Sequence, residues 1–337
     1  MRRRELLALA GAAACAVISE RGAAQSRGER PIETVTGPIS PEALGTTLMH
    51  EHVLVDFIGA AGVSRARYDA GEVFKTMLPY VREVAERGCK TLVECTPAFL
   101  GRDARLLRRL SEASGVHILT NTGFYGAAND KHVPAFAFDE TAELIARRWI
   151  REAERGVDDE GIKPAFMKIG VDAAPLSAID AKLVRAAALT WRETGLPIAS
   201  HTGTGAAMAE LDAIEALGVP ASAFIWVHAQ SERDSALHVK VARRGAWVEF
   251  DGIGPTTVER HVDLVRQMKA AGLLDRVLVS HDAGWYHVGE KNGGTIRPYT
   301  TLFTNFIPAL RNAGVTDDEV QALLVRNPRR ALTPRSR

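Results

Sequence analysis

Two histidines stand two residues apart in a stretch, residues 47–55, that has the composition of a β-strand. Because side chains alternate along a strand, His50 and His52 are expected to share one face with Leu48, with Met49 on the opposite face. Two imidazoles on one face can hold a divalent metal ion as a chelating pair. A polar alternation on a solvated strand is the alternative for this segment taken alone.

Further polar side chains interrupt or follow other apolar, strand-like runs. They are Lys168, His201, His228 and Asp282. In a barrel of parallel strands these positions meet at one end, so they would converge with His50 and His52. Four imidazoles and one carboxylate supply enough ligands for two divalent ions with open positions. A cationic lysine would be unfavourable beside two cations, but a lysine carbamylated by carbon dioxide becomes an anionic, carboxylate-like bridge.

Strand-like and helix-like segments alternate along the chain, and they predict the fold that positions these residues. Apolar runs occur at 47–55, 90–96, 116–121, 164–169, 196–200, 223–228, 246–250 and 276–281, with helix-length stretches between them. Eight such units predict an α/β fold, a (β/α)8 TIM barrel with a binuclear metal centre at the C-terminal end of its strands. An open doubly wound sheet is the alternative, but no Gly-x-Gly-x-x-Gly follows the first strand.

Two further features of the fold can be predicted from the sequence. Ser231 is expected to open a helix in a capping box. A connection of about twenty residues between Ser280 and a helix near Thr301 is expected to be a functional loop at the strands' C-terminal ends. In it, Trp285, Tyr286 and His287 are either pocket walls or packing at the barrel rim.

From about Gly45 to Pro334 the chain resembles the phosphotriesterase family of the amidohydrolase superfamily. The motifs that carry the resemblance are Gly-Thr-Thr-Leu-Met-His-Glu-His at 45–52, Gly-Ile-Lys-Pro-Ala-Phe-Met-Lys-Ile at 161–169, Asn-Thr-Gly-Phe-Tyr at 121–125, His-Thr-Gly-Thr at 201–204, Val-His-Ala-Gln at 227–230 and Val-Ser-His-Asp at 279–282.

The resemblance implies a role for each candidate. It assigns the more buried metal to His50, His52 and Asp282, the more exposed metal to His201 and His228, and a bridge to carbamylated Lys168 together with a hydroxide. The hydroxide would attack the substrate while Asp282 takes its proton. Tyr125 would position the substrate near the metals.

The implied reaction is hydrolysis of a lactone or carboxylic ester, or of a phosphotriester as in an aryldialkylphosphatase, with a lactone or ester favoured. A small polar compound is expected as substrate. Two zinc ions are the expected cofactors because the ligands are rich in histidine, and members of the family commonly form homodimers. A mononuclear deaminase-like amidohydrolase and a catalytically idle metal-binding protein are the alternatives.

The N-terminus predicts export. Arg2, Arg3 and Arg4 precede an apolar run and the small residues 22–24, the order of a signal peptide. The adjacent arginines indicate the twin-arginine type, and hence a periplasmic protein. The expected organisation is a signal at 1–24, a leader at 25–44 and the hydrolase barrel at 45–337.

Composition excludes two other classes of protein. The formal net charge is +1, which gives no electrostatic basis for binding nucleic acid. No apolar run after the N-terminus approaches the roughly 20 residues of a membrane span. Cys89 and Cys95, the two cysteines beyond the signal, are expected to be buried free thiols rather than a disulfide framework.

Overall fold

A computed structural model describes residues 30–158 and 160–335. The predicted signal at 1–24 lies outside the described residues, as do residues 25–29 of the leader. Eight consecutive strand units form the barrel wall: β1 Thr47–Val55, β2 Thr91–Glu94, β3 His117–Leu119 with Asn121–Thr122, β4 Phe166–Val171, β5 Ile198–Thr202, β6 Phe224–Val227, β7 Trp247–Phe250 and β8 Val277–Val279.

Neighbouring strands pair in parallel around the wall, and a ninth strand closes it. β9, Ala283–His287, resumes the course of β8 and pairs in parallel with β1. The amide of Asp282, between β8 and β9, also donates to His50 O over 3.0 Å. The predicted (β/α)8 architecture is therefore confirmed. The connection after β8, expected to be a loop without regular structure, instead contains this closing strand.

Helices follow the strands on the outside of the wall. Their bounds are α1 Ala70–Glu86, α2 Ala104–Ser114, α3 Ala142–Arg155, α4 Ala178–Thr194, α5 Ala207–Glu215, α6 Ser235–Arg243, α7 Val258–Ala270, α8 Leu302–Phe306 in π form continuing as Ile307–Asn312, and a last segment, α9, composed of Asp317–Gln321, Ala322–Arg326 and Asn327–Leu332. The capping box expected at Ser231 is wrong. α6 begins four residues later because the Asp234 side chain accepts the amide hydrogen of Ala236.

The barrel interior is filled by one apolar layer to which every strand unit contributes. Its members include Met49, Val93, Leu119, Phe166, Ala199, Ile225, Trp247 and Leu278. The segment expected to be a leader contains a hairpin, Ile32–Thr34 with Gly37–Ile39, and its Ile32 and Leu44 join the same layer. Since Leu44 comes just before β1, this contact closes the N-terminal end of the barrel and leaves the C-terminal end for the site.

A β-bulge in β1 changes which side chains face inward. Leu48 pairs with Leu92 and Glu51 with Glu94, so two residues of β1 stand opposite one of β2. Met49 therefore packs in the interior, while Leu48 packs outward among the helices. The expectation that Leu48 shares the face of His50 and His52 is wrong, because simple alternation does not hold across a bulge.

Cys89 and Cys95 are buried and free, as expected. Among the described residues, no helix has both the length and the apolar character that crossing a membrane requires.

Candidate metal centre

Four imidazoles stand in a row at the C-terminal end of the barrel. Ring centroids are 5.2 Å apart for His52 and His50, 4.9 Å for His50 and His228, and 4.5 Å for His228 and His201. His50 and His52 are buried, whereas His201 and His228 are partly exposed. The structure thus brings the four predicted histidines together from three strand ends, with the β1 pair buried and the other two partly exposed.

Three ligand atoms lie at the spacing that one ion requires. His50 Nε2 and His52 Nε2 are 3.2 Å apart, and Asp282 Oδ1 is 3.2 Å from His52 Nε2 and 3.7 Å from His50 Nε2. Ligands bound at 2.0–2.2 Å in tetrahedral geometry lie about 3.3–3.6 Å from one another. Asp282 Oδ1 is buried without a hydrogen-bond partner. A buried carboxylate oxygen left unpaired beside two ring nitrogens fits a divalent ion among them.

The opposite ring nitrogens lie within 3.1 Å of oxygen atoms of other side chains. His52 Nδ1 is 2.8 Å from Thr96 Oγ1, His50 Nδ1 is 3.1 Å from Asp251 Oδ2, and His228 Nδ1 is 2.6 Å from Asp251 Oδ1. These contacts fix the orientation of the rings and leave each Nε2 free. Histidines that ligate metals are typically held in this way by a carboxylate or hydroxyl.

Asp251 is a functional residue that sequence reasoning missed. It follows β7 directly. A polar residue at the end of an apolar run is the pattern that identified Asp282, and the same pattern identifies Asp251. It is fully buried and also accepts a hydrogen bond from Gln230 Nε2 over 2.7 Å. Burial alone would raise the pKa of Asp251, but the charges and hydrogen bonds of His228 and His50 outweigh burial and hold its pKa well below the usual range. With these two histidines it forms a second group that could hold an ion.

Replacing Asp251→Asn should weaken metal binding by about 10–100-fold, because the amide cannot supply the negative charge that orients two imidazoles. Competition with a chelator measures the affinity. Asp172→Asn is the matched control, since Asp172 also follows a barrel strand but accepts hydrogen bonds from the amides of Ala128 and Asn129. Equal metal affinity in wild type and Asp251→Asn would contradict this role.

Burial favours the neutral form of three of the four imidazoles, those of His50, His52 and His201. Burial lowers the pKa of His50 to about 4 and holds the pKa values of His52 and His201 well below the usual range. Neutral imidazole is the form that binds metal ions, so these residues need not release protons to the solvent before binding.

Lys168 reaches the same region from β4 and has no partner for a positive charge. Its side chain is 2% exposed and makes neither a hydrogen bond nor an ion pair with any described residue. Its Nζ lies 5.5 Å from the ring centroid of Tyr125. A buried ammonium without a partner is costly. A carbamate or a neutral amine would remove that cost.

Tyr125 lies beside the exposed end of the row of histidines. Its hydroxyl is 3.0 Å from His201 Nδ1. Burial raises the pKa of Tyr125, so it remains a neutral phenol. Gly170 makes room for the ring, since a Cβ there would lie 2.9 Å from the tyrosine.

Two of the candidate ligands have unusual backbone conformations. Asp282 has φ +54° and His228 has φ +61°, in the left-handed region that residues other than glycine rarely adopt. Such strain is maintained only where surrounding contacts enforce it, and it concentrates at functional sites.

The Glu51 carboxylate enforces the conformation at Asp282. It accepts hydrogen bonds from Ser280 Oγ at 2.8 Å, from His281 Nδ1 at 2.6 Å, and from the amide of Ala283 at 2.9 Å. These donors stand on both sides of Asp282, so one buried carboxylate holds the turn that directs Asp282 toward the histidines. Glu51 was not among the predicted site residues, because it lies on the face of β1 opposite His50.

His281 belongs to this support and not to the metal ligands. Its Nδ1 donates to Glu51, and its Nε2 accepts the amide hydrogen of Leu302 at the start of α8. Both ring nitrogens are therefore used, in agreement with the exclusion of His281 from the predicted ligand set.

Aromatic side chains form the mouth of the site. The Trp285 ring lies 5.0 Å from His52, 5.4 Å from Phe57 and 5.8 Å from His287, centroid to centroid. Tyr286 points the other way, with its hydroxyl 2.9 Å from Glu72 on α1. Of the three residues considered for the pocket wall, Trp285 and His287 therefore line the mouth and Tyr286 packs at the rim.

Comparison with known proteins gives consistent matches. The pattern of the Phosphotriesterase family matches residues 30–332. The phosphotriesterase homology protein of Escherichia coli is 28% identical over 295 residues, covering 86% of this chain and 98% of its own. The N-acetyltaurine hydrolase of Rattus norvegicus is 26% identical over 347 residues, covering 90% and 97%. A solved structure described as engineered for organophosphate hydrolysis from a weak promiscuous lactonase template superposes with a TM-score of 0.81 at 29% identity, covering 90% and 100%.

Proposed function

The chain belongs to the phosphotriesterase family, whose members are hydrolases, and from this premise we propose that it hydrolyses a small lactone or carboxylic ester with two divalent metal ions. The observation that carries the proposal is the close spacing of His50 Nε2, His52 Nε2 and Asp282 Oδ1, in which the carboxylate oxygen has no other partner. Thr96 and Asp251 hold the two rings so that these atoms stay free.

His50, His52 and Asp282 would hold the more buried ion, and His201 and His228 the more exposed one. Carbamylated Lys168 would be shared between them, which would also remove its unpaired charge. The ions, when bound, would polarise the substrate's carbonyl or phosphoryl oxygen and lower the pKa of water near neutral pH. Zinc is proposed for both positions, because imidazole and carboxylate ligands suit it.

The protein's own residues would supply proton transfer and orientation. Asp282 would accept the proton of the attacking water at a carboxylate oxygen. The neutral Tyr125 hydroxyl, beside His201, would donate a hydrogen bond to the substrate oxygen. Water would add to the carbonyl carbon, the carbon–oxygen bond to the alcohol would break, and the alcohol would leave with a proton. Export by the twin-arginine route is proposed from residues 1–24, and it would carry a folded protein that has already bound its ions.

The test is a substrate panel on the mature protein loaded with zinc in bicarbonate buffer. We expect kcat/KM for γ-butyrolactone or 4-nitrophenyl acetate to exceed that for diethyl 4-nitrophenyl phosphate by at least about tenfold. N-acetyltaurine belongs in the panel because of the relative from rat. Turnover of long-acyl lactones alone would contradict the preference for small substrates. Two bound ions with no turnover of any compound would favour an idle metal-binding protein, and one ion per chain would favour the deaminase-like alternative.

A further inference from the structure

One arginine at the mouth of the site has no acidic partner. Among the described residues, no carboxylate lies within ion-pair distance of the Arg297 guanidinium, and no side-chain hydrogen bond involves it. Arg67, close to the end of β1, is different, because its Nε lies 2.6 Å from Asp56. An unpaired guanidinium with five donors is a ready binding group for a carboxylate, sulfonate or phosphate.

Trp285 fixes the position of this guanidinium. The Arg297 Cζ lies 4.4 Å from the centroid of the Trp285 ring, a cation–π contact. The same indole lies 5.0 Å from the His52 ring. The Trp285 indole therefore contacts both the guanidinium and a candidate metal ligand.

The backbone holds Arg297 at this place independently of its side chain. The amide of Gly284 donates to Arg297 O and the amide of Arg297 donates to Gly284 O, both over 2.9 Å. Gly284 belongs to β9, which pairs with β1 beside His52. The backbone of Arg297 is thus held against the barrel wall, and its exposed side chain lies against Trp285 at the mouth of the site.

We propose that Arg297 is a specificity-determining residue that binds an anionic group of the substrate. The natural substrate would then be an ester or lactone with a carboxylate, sulfonate or phosphate at the end away from the bond that is cleaved. This inference rests on the proposed function for the reaction, but not for the binding of the anion. Arg297 would contact the substrate's charged end and would take no part in bond breaking.

One pair of esters of matched shape tests the proposal. Hydrolysis is followed with 4-nitrophenyl glutarate, which carries a free carboxylate, and with its neutral counterpart 4-nitrophenyl valerate. We expect wild type to favour the anionic ester in kcat/KM by about five- to twentyfold, mainly through KM, and added salt to reduce the preference. Arg297→Gln should abolish it, and Arg297→Lys should retain part of it. Lys291→Gln, which removes an exposed charge from the same connection, should leave the ratio unchanged.

Binding provides a second measurement that needs no turnover. The zinc-loaded protein is titrated in a calorimeter with 5-oxohexanoate, which carries a carboxylate, and with its neutral counterpart 2-hexanone, because neither ketone can be hydrolysed. We expect at least about fivefold tighter binding of the anion by wild type and Lys291→Gln, and no such preference in Arg297→Gln. Equal binding of the two compounds by wild type, or a preference that survives in Arg297→Gln, would overturn the proposal. Failure to hydrolyse either ester, with the binding preference intact, would instead count against the proposed ester hydrolysis.

Discussion

Lys168→Met should hold no more than one metal ion per chain where wild type in bicarbonate buffer holds about two, and its hydrolytic activity should fall at least hundredfold. The reason is that methionine fills the same space but cannot become an anionic ligand shared by two ions. Metal content per chain by elemental analysis, followed by kcat/KM on the best ester or lactone, measures both effects.

The same substitution should change stability in the opposite direction. Lys168 is buried and without an ionic partner among the described residues, so its charge is a cost in the metal-free protein. Removing it should raise the free energy of unfolding of metal-free protein by about 1–3 kcal/mol, measured by denaturant titration. Lys163→Met is the control, because Lys163 precedes the same strand and is only half-buried. Two ions in Lys168→Met would remove the carbamate from the proposal, and one ion in both proteins would favour a mononuclear site.

Asp282→Asn should lower kcat by about a thousandfold or more, since the amide can neither accept the proton of the attacking water nor bind an ion as strongly. Asparagine tolerates the left-handed backbone found here, so the turn should persist. The metal-free variant should fold normally, because the substitution removes a carboxylate whose pKa burial already raises.

Asp130→Asn is the matched control for this change. Asp130 also has a left-handed conformation, with φ +59°, but lies in the connection after β3 and is not among the candidate ligands. Its substitution should alter kcat by less than about threefold. An Asp282→Asn enzyme with more than a tenth of wild-type kcat, measured with full metal occupancy, would argue against Asp282 as the proton acceptor.

The barrel and the six candidate ligands could be predicted because both follow from short sequence patterns. An apolar run that ends in a polar residue identifies a strand end, and parallel strands place their ends together. His201, His228 and Asp282 were found on this basis, and the structure places His228 and Asp282 beside His50 and places His201 beside His228.

The roles of the supporting residues could not be predicted, because they depend on contacts between distant segments. Asp251 follows an apolar run as Asp282 does, but its role is recognisable only from its contacts with His50 on β1 and His228 after β6. In the sequence, Glu51 is one polar residue of an alternating strand. Its role depends on the hydrogen bonds that its carboxylate accepts from the turn around Asp282. The bulge before Glu51 could not be predicted from the sequence either, because it depends on the register with β2 and not on any residue type.

The closing strand β9 also determines which positions can vary without harm to the fold. Gly284 cannot accept a larger residue, because a Cβ there would lie 1.8 Å from His52 O, and Tyr286 is committed to Glu72. The alternate residues, Trp285 and His287, face the mouth. Natural drift or a randomised library should therefore find new substrate preferences at 285 and 287 while 284 and 286 stay constant. Within β9, Gly284 and Tyr286 therefore maintain barrel closure, while Trp285 and His287 are the positions at which substrate preference can change.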